Sequence, residues 1–198
     1  MRVTGIEPAG KGRYNVYLEE QLAFILYGGE LSRYRIREDT EISQELYDTV
    51  LKEVLLKRAQ ARSLYLLKSM DRTEFQMRRK LKEGKYPDAV VEEVIRWLYG
   101  FRYLDDRRYA ANYISQKKDS RSRLQILHDL VSRGIPRELA EEIYEEEGDD
   151  DELELIRHWI EKKGIDPETA EPKEIQKLYQ FLVRKGFRTG DIARVLEW

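Results

Sequence analysis

At 198 residues the chain has room for one or two ordinary domains or an array of small repeats, and 41% apolar residues suffice to bury a core beneath a surface to which 37% charged residues contribute. The absence of cysteine excludes disulfides, thiolate zinc sites and a cysteine nucleophile together. A net charge of −2 conceals a polarity: Lys57 to Arg123 holds 18 Lys/Arg against 9 Asp/Glu, whereas Glu138 to Glu161 holds only Arg157 against 12 acidic residues. Two readings of the basic middle stay open, the footprint of an anionic partner such as nucleic acid or a solvated pair of helix faces. No apolar run approaches the ~20 residues needed to span a bilayer. The start, Met1-Arg2-Val3-Thr4-Gly5-Ile6, lacks the apolar stretch of a signal peptide, so the expected location is the cytoplasm, with no membrane partner.

Residues 1–42 read as a β-rich extension. Arg13-Tyr14-Asn15-Val16-Tyr17-Leu18 alternates, Glu19-Glu20-Gln21 turns, and Leu22 to Tyr27 runs apolar up to Gly28-Gly29, the pattern of a hairpin whose second strand is the more buried. Ser32 to Arg37 reads as a third short strand. Gly10-Lys11-Gly12 lacks both the full phosphate-loop spacing and a strand-to-helix context, so no nucleotide site is assigned there.

From Ser43 the period becomes helical. Ser43 caps a helix with Leu46, Tyr47, Val50, Leu51, Val54 and Leu55 on one face, which continues, or re-forms after a bend, through Ala59, Leu64, Leu67 and Met70. Asp71-Arg72-Thr73-Glu74 reads as a capping box with Asp71 as cap, and Met70 and Phe75 as its hydrophobic staple.

A repeat then emerges. Leu81 precedes Tyr86 by five residues, as Leu130 does Ile135 and Leu182 does Phe187, with Gly84, Gly134 and Gly186 in the gaps. Each is a helix end, a glycine stop and an apolar residue leading into the next helix. Pro87 and Pro136 follow at the expected first helical position, where the third copy has Arg188. An amphipathic helix precedes each unit, around Leu64 and Leu67, around Tyr109, Tyr113 and Ile114, and around Leu155, Ile156, Trp159 and Ile160. The chain is therefore expected to be mainly α, three tandem three-helix repeats forming an elongated curved array behind a small N-terminal β-hairpin extension. The expected divisions are 1–42 for the extension, 43–103 for a lead helix and repeat 1, 104–148 for repeat 2 and 149–198 for repeat 3. The inverted order Gly84-Lys85 predicts a locally different helix end in the first copy. The acidic run Glu145 to Glu152 serves either as a flexible joint or as negative charge capping the next helix.

The joint between the first two repeats is Tyr103-Leu104-Asp105-Asp106-Arg107-Arg108-Tyr109-Ala110. Asp105 is the expected N-cap, Asp106 adds charge favourable to the helix dipole, and Leu104 with Tyr109 forms the staple. Capping accounts for both aspartates better than direct partner contact.

No nucleophile elbow, metal-ligand spacing or glycine-rich phosphate loop marks an enzyme, and neither a cofactor nor a catalytic residue is assigned. His128 and His158 read as partly exposed helix residues. The candidate contacts are basic: Arg78, Arg79 and Lys82 after the first copy's second helix begins, Arg107 and Arg108 at the joint, and Lys117, Lys118, Arg121 and Arg123 where the second copy's first helix gives way to its next. Tyr113 joins them as an aromatic that could stack on bases; Trp97, Phe101, Tyr103 and Tyr109 read as core, Tyr99 as exposed.

These residues resemble the RecX family of bacterial regulatory proteins. The resemblance rests on Tyr103-Leu104-Asp105-Asp106 with Tyr109-Ala110, on Arg79-Lys80-Leu81, and on Leu127, Leu130, Arg133, Gly134 and Ile135, and it covers residues from about Arg58 to Trp198. The Gly84-Lys85 order and the glycine-free Lys117 to Ser122 segment depart from the family pattern. The resemblance implies a non-enzymatic modulator that binds the RecA recombinase–DNA filament and inhibits its ATP hydrolysis, strand exchange and coprotease activity, and a monomer is the expected form. A helical protein that binds single- or double-stranded DNA without sequence preference, and so competes for the strand, is the alternative.

Overall fold

The computed structural model describes residues 1–147 and 152–197. The chain divides into two compact units, Met1–Asp105 and Asp106–Trp198, so the division falls within the aspartate pair that the sequence marks as a joint.

In the first unit β1 (Val3–Pro8), β2 (Arg13–Leu18) and β3 (Gln21–Tyr27) form an antiparallel sheet in the order β1-β2-β3. The expected hairpin is β2–β3: Val16 faces Phe24, Leu18 faces Gln21, and Glu19 and Glu20 make the turn, both at positive φ. Val16, Leu18, Phe24 and Leu26 are buried. The extension is nevertheless more than a hairpin, because β1 adds a third strand with a register shift between Val3 and Gly5. Ser32 to Arg37 is not a strand. It lies mostly on helix α1 (Gly28–Tyr34), where the Glu30 carboxylate accepts from the Tyr27 N–H (2.8 Å) and the chain stops at Arg35, which is left-handed. The Ile36 N–H then returns to the Leu31 carbonyl (3.0 Å) and buries the Ile36 side chain.

Ser43 caps α2 (Gln44–Thr49), its Oγ accepting from the Leu46 N–H (3.1 Å). The helix does not break. It passes through a π-helical segment, Val50–Leu56, into α3 (Lys57–Ser69), and the wider turn carries Val50 and Leu55 into the core. Repeat 1 is completed by α4 (Glu74–Glu83) and α5 (Asp88–Gly100). The cap of α4 is Thr73, not Asp71: its Oγ1 accepts from the Gln76 N–H (3.2 Å), and Gln76 Oε1 accepts in return from the Thr73 N–H (3.3 Å). The helix thus starts two residues later than expected. Met70 and Phe75 are left exposed rather than stapled. One core unites sheet, long helix and repeat 1, from Val3 and Phe24 through Leu55 and Met77 to Leu98 and Leu104.

The second unit contains α6 (Asp106–Lys117), α7 (Arg123–Ser132), α8 (Arg137–Glu147), α9 (Glu152–Lys163), α10 (Pro172–Arg184) and α11 (Thr189–Leu196). Repeats 2 and 3 have cores of their own, around Ile114, Ile126 and Leu130, and around Ile156, Leu182 and Ile192. The chain is mainly α, three tandem three-helix repeats behind a small sheet. Ser122 ties the last two together: its Oγ accepts from the Gln125 N–H (3.3 Å), capping α7, and donates to the Lys185 carbonyl (2.7 Å).

The turn after the second helix is the same in every repeat. The N–H groups of Tyr86, Ile135 and Phe187 return to the carbonyls of Leu81 (3.3 Å), Leu130 (3.1 Å) and Leu182 (3.3 Å). The residue before each is left-handed: Lys85 at φ 56°, Gly134 at 88° and Gly186 at 82°. The inverted Gly84-Lys85 therefore leaves the turn's form intact and puts a lysine where the other copies have glycine. Gly84 stands one place early because a Cβ there would meet the Tyr86 ring at 2.9 Å and the Leu81 carbonyl oxygen at 3.1 Å. Pro87 and Pro136 stand one residue before their helices rather than inside them, Pro87 at φ −57°, ψ 148°. An extended proline is well suited to that cap position, because its φ is fixed near −65°.

Replacing Thr73 by Ala removes a buried cap and is expected to cost ~1 kcal/mol in a denaturant titration, while Asp71→Ala changes stability by only a few tenths. The opposite ranking would restore Asp71 as the cap.

Candidate interaction surface

The structure sorts the candidate cations by what already holds them. Arg78 is half-buried and bridges α4 to α5: its Nε donates to Glu74 (2.6 Å), its Nη2 donates to Glu92 (3.0 Å) and its Nη1 also pairs with Glu92. Hydrogen bonding to Glu92 raises the Arg78 pKa, and the same contact lowers that of Glu92. Arg79 and Lys82 are more exposed, pairing with Glu83 at 3.7 Å and Asp88 at 3.3 Å. Pairs of that kind are worth little in water and yield readily to a partner.

In the second unit Arg107 fastens α6 to α8, donating to Glu142 (2.9 Å) and to both oxygens of Glu146 (2.6 and 2.7 Å). Arg108 stands beside it on the first turn of α6. Arg123 pairs with Glu145 and lies over the Tyr144 ring at 5.0 Å, while its own N–H reaches Glu152 (2.8 Å). Glu145 and Glu152, at the ends of the acidic run, are thus held by α7; residues 148–151 between them, where the joint was expected, lie outside the described residues. Lys118 donates to the Glu147 carbonyl at 3.4 Å.

Tyr113 is not presented for stacking. Its hydroxyl donates to Asp129 (2.7 Å), Arg121 pairs with the same carboxylate, and the Arg133 guanidinium covers the ring at 4.5 Å. Burial first, and the bond to Asp129 second, raise the Tyr113 pKa. Phe101 and Tyr103, expected in the core, are 63% and 46% exposed and form an aromatic cluster with Trp97. Tyr99 is exposed as expected. In the signature stretch Leu104 is buried in the first core, Tyr109 packs against the second, and Asp105 immediately precedes α6.

What the structure does bring together is a cleft of about 900 Å³ between repeats 2 and 3, where Lys117 and Arg121 meet Lys162, Arg184 and Lys185. The last three were missed from the sequence because repeat 3 reads as acidic in sum. Their clustering near helix C-termini, in Lys162-Lys163 and Arg184-Lys185, was the available signal. Among the described residues no group of three or more His, Asp or Glu is gathered for a metal ion, and no helix is long and apolar enough to cross a membrane.

Family models for the first, second and third three-helix domains of RecX match residues 59–98, 105–143 and 149–196. The chain belongs to the RecX family. A "Regulatory protein RecX" of Trichlorobacter lovleyi is 32% identical over 142 residues, covering 68% of this chain and 91% of the relative. One from Finegoldia magna is 30% identical, covering 93% and 92%. One from Caldanaerobacter subterraneus is 28% identical over 93% and 92%. Among solved structures, a regulatory protein RecX superposes over 100% of this chain and 99% of its own with a TM-score of 0.65 at 25% identity. RecX from Lactobacillus salivarius, at 20% identity and a TM-score of 0.62, shares the fold over 72% of this chain and 94% of its own. The chain is thus a RecX-family regulatory protein.

The Tyr113 phenol gives a pH test. A raised folded pKa means that its contribution is fully present below the unfolded value of ~10 and is lost as pH rises through the folded one. Tyr113→Phe should cost about 1 kcal/mol at neutral pH, and the gap from the parent should close in strongly alkaline buffer. A gap that widens there would contradict the assignment.

Proposed function

We propose that this RecX-family chain binds the RecA recombinase–DNA filament in the cytoplasm and lowers its ATP hydrolysis, strand exchange and coprotease activity without catalysing a reaction of its own. The observation that carries the reading is the three RecX domains in tandem on a chain that covers about nine-tenths of several of the regulatory relatives it matches, those of Caldanaerobacter subterraneus and Finegoldia magna among them. Three repeats offer several weak contacts to a partner that presents the same surface again and again, and linked weak contacts add as effective concentration. Within this reading the weakly paired or exposed Arg79, Lys82 and Arg108 are the filament contacts, and Lys117 and Lys118 are the residues a DNA strand would meet. Arg78, Arg107, Arg121, Arg123 and Tyr113 hold the repeats in shape, and a monomer is the acting form.

The basic stretch from Lys57 to Arg123 favours one rival, direct competition for DNA. The separating measurement is ATP hydrolysis by preformed RecA filaments, with the protein titrated well below one copy per RecA, alongside binding to bare single-stranded DNA across a salt series. Suppression at substoichiometric ratios that survives Lys117→Glu with Lys118→Glu, when DNA binding does not, supports filament binding. Suppression lost in step with DNA binding supports competition, and no effect at any ratio contradicts both.

A further inference from the structure

The cleft between repeats 2 and 3 has a chemistry that the family reading does not specify. Lys117 and Arg121 come from the end of α6 and the turn after it, Lys162 from α9, and Arg184 and Lys185 from the end of α10; Asp119 and Asp129 are the two carboxylates in the wall. Asp129 is already taken by Arg121 and Tyr113. Lys117, Lys162, Arg184 and Lys185 form no salt bridge within 4.0 Å among the described residues, so the wall holds positive charge that no carboxylate beside it neutralises. This positive wall belongs to a unit that is acidic as a whole: Asp106 to Trp198 carries 17 Lys/Arg against 21 Asp/Glu.

The wall also has apolar and polar features of its own. Leu124 and Val183 line it and are 57% and 40% exposed, so two aliphatic side chains face the one cleft. Trp159 lines it too, and among the described residues its buried Nε1–H has no hydrogen-bond partner. An orphaned buried donor is rare in a folded protein.

We infer that this cleft is a docking slot for an extended acidic segment of a protein partner, one that carries an apolar residue among its carboxylates. Carboxylates would meet the unpaired lysines and Arg184, and the apolar residue would cover Leu124 and Val183. A nucleic-acid strand fits less well. The Trp159 ring already has the Lys185 ammonium at 4.2 Å and that of Lys162 at 5.0 Å, so it is not an open platform for a base. A phosphate chain running beyond the cleft would meet the surplus of acidic side chains on the rest of the unit.

The test uses the full chain and a short fluorescein-labelled peptide of Asp and Glu around one central Leu, with fluorescence anisotropy as readout and oligothymidylate of equal charge as comparison. The peptide should bind, more tightly at low salt, and Lys162→Glu with Arg184→Glu should weaken it roughly tenfold or more, as loss of converging charge implies. Both residues are exposed, so the fold should persist, and circular dichroism checks it; the neutral pair Lys162→Gln, Arg184→Gln gives the same readout if it does not. Lys173→Glu with Lys177→Glu, on α10 outside the cleft, should leave binding unchanged. Replacing the central Leu of the peptide by Ser should weaken it. The inference is overturned if the peptide does not bind, if binding ignores the cleft pair or the Leu, or if oligothymidylate binds more tightly and loses affinity with the same pair. A protein that binds the peptide yet leaves RecA ATP hydrolysis untouched would contradict the recombinase reading and not this one.

Discussion

In each repeat the second helix ends where a backbone N–H reaches back five residues across a left-handed residue, Tyr86 to Leu81, Ile135 to Leu130 and Phe187 to Leu182. That bond satisfies a carbonyl the helix would leave unpaired and reverses the chain within two residues. The reversal drops the third helix back onto the first two, so that Leu81, Leu130 and Leu182, all fully buried, sit at the centre of their repeats. Without it, three helices of about a dozen residues have no reason to close on one another, for helices so short are marginal alone. In the third copy the same turn also joins two repeats. A Cβ at Gly186 would meet the Ser122 Oγ at 2.8 Å, so glycine is required there for space as well as for conformation.

The helical part of the fold was legible because its signals are local. Apolar spacing near 3.6, a glycine stop and an apolar residue beyond it can all be read within a dozen positions, and the Ser43 cap falls where the pattern begins. The misreadings occur where two local signals compete or where a distant pairing decides. Asp71 and Thr73 are both good caps two residues apart, and only the buried setting of Thr73 selects it. Gly28-Gly29 reads as a stop but opens α1, because Glu30 is positioned to bond the Tyr27 N–H. β1 contains Gly5 and Pro8 and shows no clean alternation; it is a strand because β2 pairs with it.

The candidate surface was less legible for the same physical reason. A basic residue in a sequence does not announce its carboxylate when that lies far along the chain, as Glu92 does from Arg78 and Glu142 and Glu146 do from Arg107. Much of the basic middle is therefore engaged in holding helices together. One concentration of positive charge without a salt-bridge partner among the described residues is assembled from α6, α9 and α10, and repeat 3, which contributes most of it, is the one whose summed charge points the other way.

If the left-handed turn is what closes each repeat, its central residue should govern stability in all of them, and the first copy carries a built-in defect, a lysine at φ 56°. Equilibrium unfolding of Lys85→Gly and Gly134→Ala tests this most directly. Lys85→Gly should gain up to about 1 kcal/mol by relieving the left-handed conformation, and Gly134→Ala should lose about as much or more. A first repeat indifferent to glycine at position 85, together with a second that accepts alanine at 134 without loss, would show that the turns follow from helix packing rather than cause it.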